Sequence, residues 1–209
     1  MKYGEIKIET LKLMFANMGE DISTDKLDTY EQSDNYGSYL INMPGSINRC
    51  FSALEGKGVL PSKPKVLKAS EGVASGAFIR FNLSSIISDF YDVDRIVSES
   101  SCGEYCGDCD YQKEGDVLVL ERDEDKTYTV LYRPTIPRVK SVTDNEWEVP
   151  VPENVASLIP YYVKGDLYRE DEPNEASEAR NWFEAGIEEM LVKKTNKVSK
   201  IKSVYSQTE

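Results

Sequence analysis

Three closely spaced cysteines are the residues in this chain best placed to do chemistry: Cys102-Gly-Glu-Tyr-Cys106-Gly-Asp-Cys109, a C-x3-C-x2-C run. Thiolates at such spacing can converge on a single metal ion or iron–sulfur cluster. A structural zinc site takes four ligands. The remaining cysteine, Cys50, falls on the apolar face of a helical pattern, where a free thiol packs as a small hydrophobe. Zinc held by Cys102, Cys106 and Cys109 would need an aspartate or a water to complete it. The alternative is a glycine-rich surface loop whose thiols stay reduced. The expectation is no resident cofactor, with zinc on these three cysteines as the exception. The chain has no histidine, which excludes Ser-His-Asp and Cys-His catalysis and removes the commonest zinc ligand. The acidic groups Asp92/Asp94, Asp108/Asp110 and Asp123/Glu124/Asp125 lack the D-x-D-x-D-G loop of a calcium site and read as solvated loops. Ala74-Ser-Gly76 is not followed by the Gly-Lys-Ser/Thr of a phosphate loop. No catalytic set emerges, and the chain reads as a non-enzyme.

The cysteine spacing resembles the cluster motif of radical S-adenosylmethionine enzymes, which implies an iron–sulfur cluster with one open iron. The residue before the third cysteine is Asp108, where those enzymes usually carry an aromatic. Such enzymes also need a series of βα units to build most of a barrel. Here the motif sits between strands, so this enzymatic reading is the remote alternative.

The elements that must position these residues come in the order helices, strands, helices, basic tail. Ile6, Thr10, Leu13 and Met14 recur at helical spacing, and Asn17-Met-Gly19 supplies a stop. A helical turn is expected at Thr24 to Thr29. A longer helix runs from Tyr36 to Glu55, with Pro44 predicting a kink or a new start and Gly56 and Gly58 ending it. Val66–Lys68, Phe78–Phe81, Val93–Val97, Val117–Leu120 and Thr127–Tyr132 read as strands, with a helical turn between Leu83 and Tyr91. Glu121 to Lys126 reads as the polar connection of a hairpin. Pro152 suits a helix start, Pro160 predicts a bend, and Asp171-Glu-Pro173 is a stop followed by a new start. Ala176, Ala179, Trp182, Phe183, Gly186, Ile187, Met190 and Leu191 then form the best amphipathic stripe. The fold class expected is α+β, a helical bundle made from the N- and C-terminal segments with a small antiparallel β domain inserted. The boundaries are 1–60 helical, 61–150 β-rich, 151–192 helical and 193–209 a basic tail.

The net charge of −12 over 209 residues argues against a general nucleic-acid binder, since phosphate contacts need clustered Lys and Arg. The charge is uneven: from Lys193 onward the chain carries Lys193, Lys194, Lys197, Lys200 and Lys202 with only Glu209 opposing them. Such asymmetry marks a solvated end or an interaction arm. No run of about 18 apolar residues predicts a membrane span, and Met1 to Glu5 does not read as a signal peptide, so cytosolic synthesis is expected.

The segment Val151 to Pro173, containing Pro-Tyr-Tyr-Val at 160–163 and Leu-Tyr at 167–168, followed by Ala179-Arg-Asn-Trp-Phe183, resembles the head–tail adaptor proteins of tailed bacteriophages. Ile47-Asn-Arg49 within the earlier helix, and the Glu55 to Pro61 ending, resemble them too. The resemblance implies a structural virion protein at the neck of the particle, made in the host cytoplasm. Its copies would form a ring, commonly dodecameric, between the portal protein and the tail components, with DNA passing through the channel without sequence-specific contact. It also implies that Lys193, Lys194, Lys197, Lys200, Ile201, Lys202 and Tyr205 reach the portal. The helical spacing of Tyr161, Tyr162, Trp182 and Phe183 points to the core or a subunit interface rather than to a ligand cage. The alternative is a binding module or virion decoration protein whose β domain recognises a protein or a sugar.

Overall fold

The structure, a computed structural model, describes residues 1–16, 22–99, 105–123 and 126–202, with side chains described for all but 99, 105–108 and 193–202. The chain is α+β and divides into two compact units: Met1–Val59 with Pro137 onward, and Leu60–Ile136.

The first unit is helical. It contains α1 (Tyr3–Met14), α2 (Leu27–Glu31, entered through a 3-10 turn at Thr24–Lys26), α3 (Gly37–Lys57), α5 (Glu153–Ala156), α6 (Ile159–Leu167) and α7 (Pro173–Lys202). The stop expected at Gly19 lies outside the described residues. The helix α3 runs unbroken through Pro44, although the ring removes one backbone donor and costs about 3 kcal/mol. Met43, Ile47, Cys50, Phe51 and Leu54 are completely buried along it, and each such side chain contributes roughly 1.5–3 kcal/mol, so burial outweighs the proline. Gly56 does not end the helix as expected. Gly58 does, adopting the left-handed conformation (φ 67°) as the cap residue.

The central element of this unit is α6, which packs on α1, α3 and α7. Pro160 does not bend a longer helix. It lies in the first turn of α6, where its missing N–H costs nothing. Asp166 on α6, whose side chain is 7% exposed, joins three helices: Arg49 Nε of α3 donates to it at 2.9 Å and Arg180 of α7 approaches at 3.4 Å. Gly165 marks a close approach of α6 and α7. A Cβ there would lie 2.7 Å from Arg180 Cγ and 2.9 Å from the Ala176 carbonyl oxygen. Gly-to-Ala in a helix ordinarily stabilises by about 1 kcal/mol. Here the sign should reverse, and Gly165→Ala is expected to destabilise by about 1–3 kcal/mol through overpacking. Urea titration checks this, and a gain in stability would mean that the two helices separate freely.

Residues 137–150 belong to the helical unit and bond to α1 and α3. The Asn48 side chain donates to the Val139 carbonyl at 2.8 Å and accepts its amide at 2.9 Å. The Tyr3 and Gly4 amides donate to the Trp147 and Asn145 carbonyls. Arg138 reaches Glu55, 2% exposed, at 2.6 Å.

The second unit is a β structure of two antiparallel four-stranded sheets among the described residues. One has the order β1 (Lys63–Lys68), β8 (Thr127–Pro134), β4 (Phe90–Glu99), β5 (Tyr105–Asp108); the other has the order β2 (Val73–Ser75), β3 (Phe78–Asn82), β7 (Val117–Glu121), β6 (Gln112–Glu114). A short helix, α4 (Leu83–Ile86), follows β3 and is capped by the Asn82 side chain. Strict alternation along β8 turns Tyr128, Val130 and Tyr132 inward. They form one core with Leu67 and Ile96 of their own sheet and with Ile79, Phe81, Leu118 and Leu120 of the other. The expected hairpin from Val117 to Tyr132 does not form. β7 pairs with β3 and β6 while β8 pairs with β1 and β4, so the polar connection carries the chain from one sheet to the other. Each strand buries an apolar face, and pairing outside the hairpin lets both faces meet across the core.

Candidate interaction surface on the helical unit

The cysteine run divides. Cys102 lies outside the described residues, and Cys106 is placed by its backbone in β5. Cys109 is half-buried against the β core, with its amide donating to the Ile96 carbonyl at 3.0 Å. Cys50 is buried in the helical unit, where desolvation pushes its thiol well above the ordinary range, so it packs as an apolar group. Among the described residues, no three Cys, Asp or Glu side chains are grouped to hold a metal.

Of the acidic groups, Asp92, Asp94 and Asp123 are tied to neighbouring cations or hydroxyls, whereas Glu124, Asp125 and the Asp108 side chain lie outside the described residues. Asp92 accepts from both Lys113 and Arg133, Asp94 accepts the Ser62 hydroxyl at 2.6 Å, and Asp123 pairs with Lys126 at 3.0 Å. Asp89 accepts Lys63 Nζ at 2.6 Å and the Tyr132 hydroxyl at 2.9 Å. Burial raises the carboxyl pKa of Asp89 and of Asp92, but these hydrogen bonds and cations outweigh it, so both lie below the ordinary range. A carboxyl depressed in the folded state stabilises above its unfolded pKa of about 3.9, and that contribution is lost as pH falls through the lower folded value. Stability of the β unit should therefore fall below about pH 4. An Asp92→Asn variant should show a shallower fall, as read by chemical denaturation at several pH values; an unchanged slope would remove the assignment.

The four aromatics expected in the core or at interfaces have different surroundings. Phe183 is 1% exposed inside the helical unit, with the Tyr162 ring against it edge-on at 5.1 Å. Arg180 lies over Tyr162 at 5.6 Å. These two aromatics are engaged within the chain. Trp182, the residue before Phe183, is 61% exposed.

Trp182 and Tyr161 line a groove of about 530 Å³ between the end of α1, α6 and the first half of α7. Three exposed carboxylates, Glu172, Glu175 and Glu178, share the groove with Lys164 and Tyr168. Lys164 Nζ donates to Glu175 at 2.7 Å and lies 5.8 Å from the centre of the Tyr168 ring. The Tyr168 hydroxyl donates to the Met14 carbonyl at 2.8 Å. Burial, reinforced by Tyr39 and the surrounding carboxylates, pushes its pKa up to about 12, so it remains a neutral donor. Carboxylates beside aromatic faces suit cations on flexible stems. The acidic side of the groove was not singled out in the sequence. Its signal is the spacing of Glu175, Glu178 and Trp182, three and seven residues apart on one helix.

The basic residues expected to reach a portal continue α7. The backbone of Lys193, Lys194, Lys197, Lys200, Ile201 and Lys202 is helical, and Tyr205 lies outside the described residues. No helix among the described residues is long and apolar enough to cross a membrane. No protein-family model matches the chain, and no curated protein matches its sequence.

Proposed function

We propose that the protein is a structural adaptor of a tailed-phage virion, forming a ring between portal and tail through which DNA passes. The observation that carries the reading is the layout: the two chain ends close one helical unit, and a β unit is inserted between them. This is the order that the Pro160-to-Tyr168 and Ala179-to-Phe183 motifs imply by resemblance. The net charge of −12 suits a channel wall that must not hold DNA. Native mass spectrometry of the chain, alone and mixed with the portal protein of the same virus, tests the proposal. A ring-sized species or a portal-bound complex of fixed stoichiometry is expected. A monomer indifferent to the portal would refute the adaptor reading.

A second reading draws on a shallow recess of about 400 Å³ in the β unit, lined by Phe78, Tyr111 and Val119 with Asp110 and Glu121 beside them. Phe78 is 51% and Tyr111 39% exposed. Exposed aromatic area of this kind suits recognition of a protein or sugar. Chemical-shift changes confined to these residues on adding tail proteins or glycans, with no portal binding, would favour it.

A further inference from the structure

We propose that the acidic, aromatic groove receives the basic end of α7, Lys193 to Lys202, from a second copy of this chain. The charges are complementary. The groove presents Glu172, Glu175 and Glu178, whereas residues 193–202 carry five lysines and no acidic residue. The aromatics complete the match, because Trp182 and Tyr161 can cover lysine stems and face their ammonium groups. Lys164 already binds in this manner within the chain, its ammonium on Glu175 at 2.7 Å and over the Tyr168 ring.

The occupant must come from another copy. α7 is one continuous helix from Pro173 to Lys202, so at about 1.5 Å per residue Lys193 lies about 16 Å beyond Trp182 and Lys202 about 30 Å beyond it. A continuous helix cannot fold back onto its own first half. Groove and arm are different surfaces, so a one-way contact runs head-to-tail and extends into a ring or a filament, whereas a reciprocal exchange gives a two-fold dimer; the adaptor reading selects the first, and a dimer would keep the contact while removing the ring. This deepens the adaptor reading and rests only on its self-assembly. It assigns the arm to the neighbouring copy instead of the portal.

The test uses the full chain, with sedimentation velocity over a concentration series and no portal present. Species larger than a dimer are expected at low salt, with association weakened at least tenfold at high salt, since exposed charges are then screened. Two variants separate the surfaces: a groove variant, Glu172→Lys with Glu178→Lys, which leaves the Glu175–Lys164 pair intact, and an arm variant, Lys193→Glu with Lys197→Glu and Lys200→Glu. Each alone should associate at least tenfold more weakly than the parent, with an unchanged helical signal in circular dichroism. An equimolar mixture should regain assembly, because each reversed arm then meets a reversed groove. If the groove variant fails to fold, the arm variant alone decides. A monomeric parent, variants that assemble like the parent, or a mixture that stays apart would overturn the inference. A chain that assembles yet ignores the portal would uphold it while removing the adaptor reading, and a chain that binds the portal without ever self-associating would do the reverse.

Discussion

Phe183→Ala is expected to destabilise the helical unit by about 3–5 kcal/mol, the range for deleting a fully buried aromatic. Phe183 is 1% exposed and meets the Tyr162 ring edge-on at 5.1 Å, so truncation leaves a cavity between α6 and α7 as well as losing apolar burial. The adjacent residue provides the control. Trp182 is 61% exposed, and Trp182→Ala should change the stability of the isolated chain by no more than about 0.5 kcal/mol. It should nevertheless weaken self-association, since its ring lines the groove. The measurement is convenient because the only two tryptophans in the sequence, Trp147 and Trp182, both lie in the helical unit. Tryptophan fluorescence during urea unfolding of Phe183→Ala therefore follows that unit without interference from the β unit. Equal losses for the two alanine variants would mean that the opposite exposures do not describe the folded chain.

Arg138→Ala should cost the same unit about 1–3 kcal/mol, because it removes a charged hydrogen-bond donor from a buried carboxylate, although the Arg138 side chain itself is 42% exposed. Glu55 is 2% exposed and accepts from the Arg138 guanidinium at 2.6 Å. The pair also anchors the segment after Ile136 to α3. The double variant Arg138→Met with Glu55→Met should be more stable than Arg138→Met alone, because it replaces the buried carboxylate as well by an apolar group. If Arg138→Ala alone is neutral, water reaches Glu55 and the pair is not an anchor.

The fold class could be read in the sequence because its strongest patterns are local. The alternation of Thr127 to Tyr132 gives a strand whichever sheet it joins, and the stripe from Ala176 to Ile187 gives a helix whatever covers it. Partner choice could not be read in the same way. Nothing between Val117 and Tyr132 shows that the two strands belong to different sheets, because that depends on which apolar faces meet across the core. The strand Gln112–Glu114 has no strand-forming residues at all. It is ordered by pairing with Val117–Val119, a cause outside its own sequence. Pro44 and Pro160 misled in opposite directions. Burial along α3 overrides the first, while the second opens a helix that the periodicity had joined to the preceding turn. Of the groove, the sequence marks Tyr161 and Trp182 only together with Tyr162 and Phe183, as aromatics for a core or a subunit interface. The split between Trp182 outside and Phe183 inside needed the rotation of α7 against α6, a tertiary fact.

The discontinuous helical unit also sets the order of events during synthesis. α1 and α3 present apolar faces that α6 covers, yet Ile159 leaves the ribosome about 100 residues after Lys57, a delay of about 5–20 s at about 5–20 residues per second. The β unit ends at Ile136 and can fold during that interval. The growing chain therefore carries a finished β unit while the sticky faces of its first helices wait uncovered, and the nascent chain is most exposed to chaperones and to neighbouring ribosomes' products during that wait.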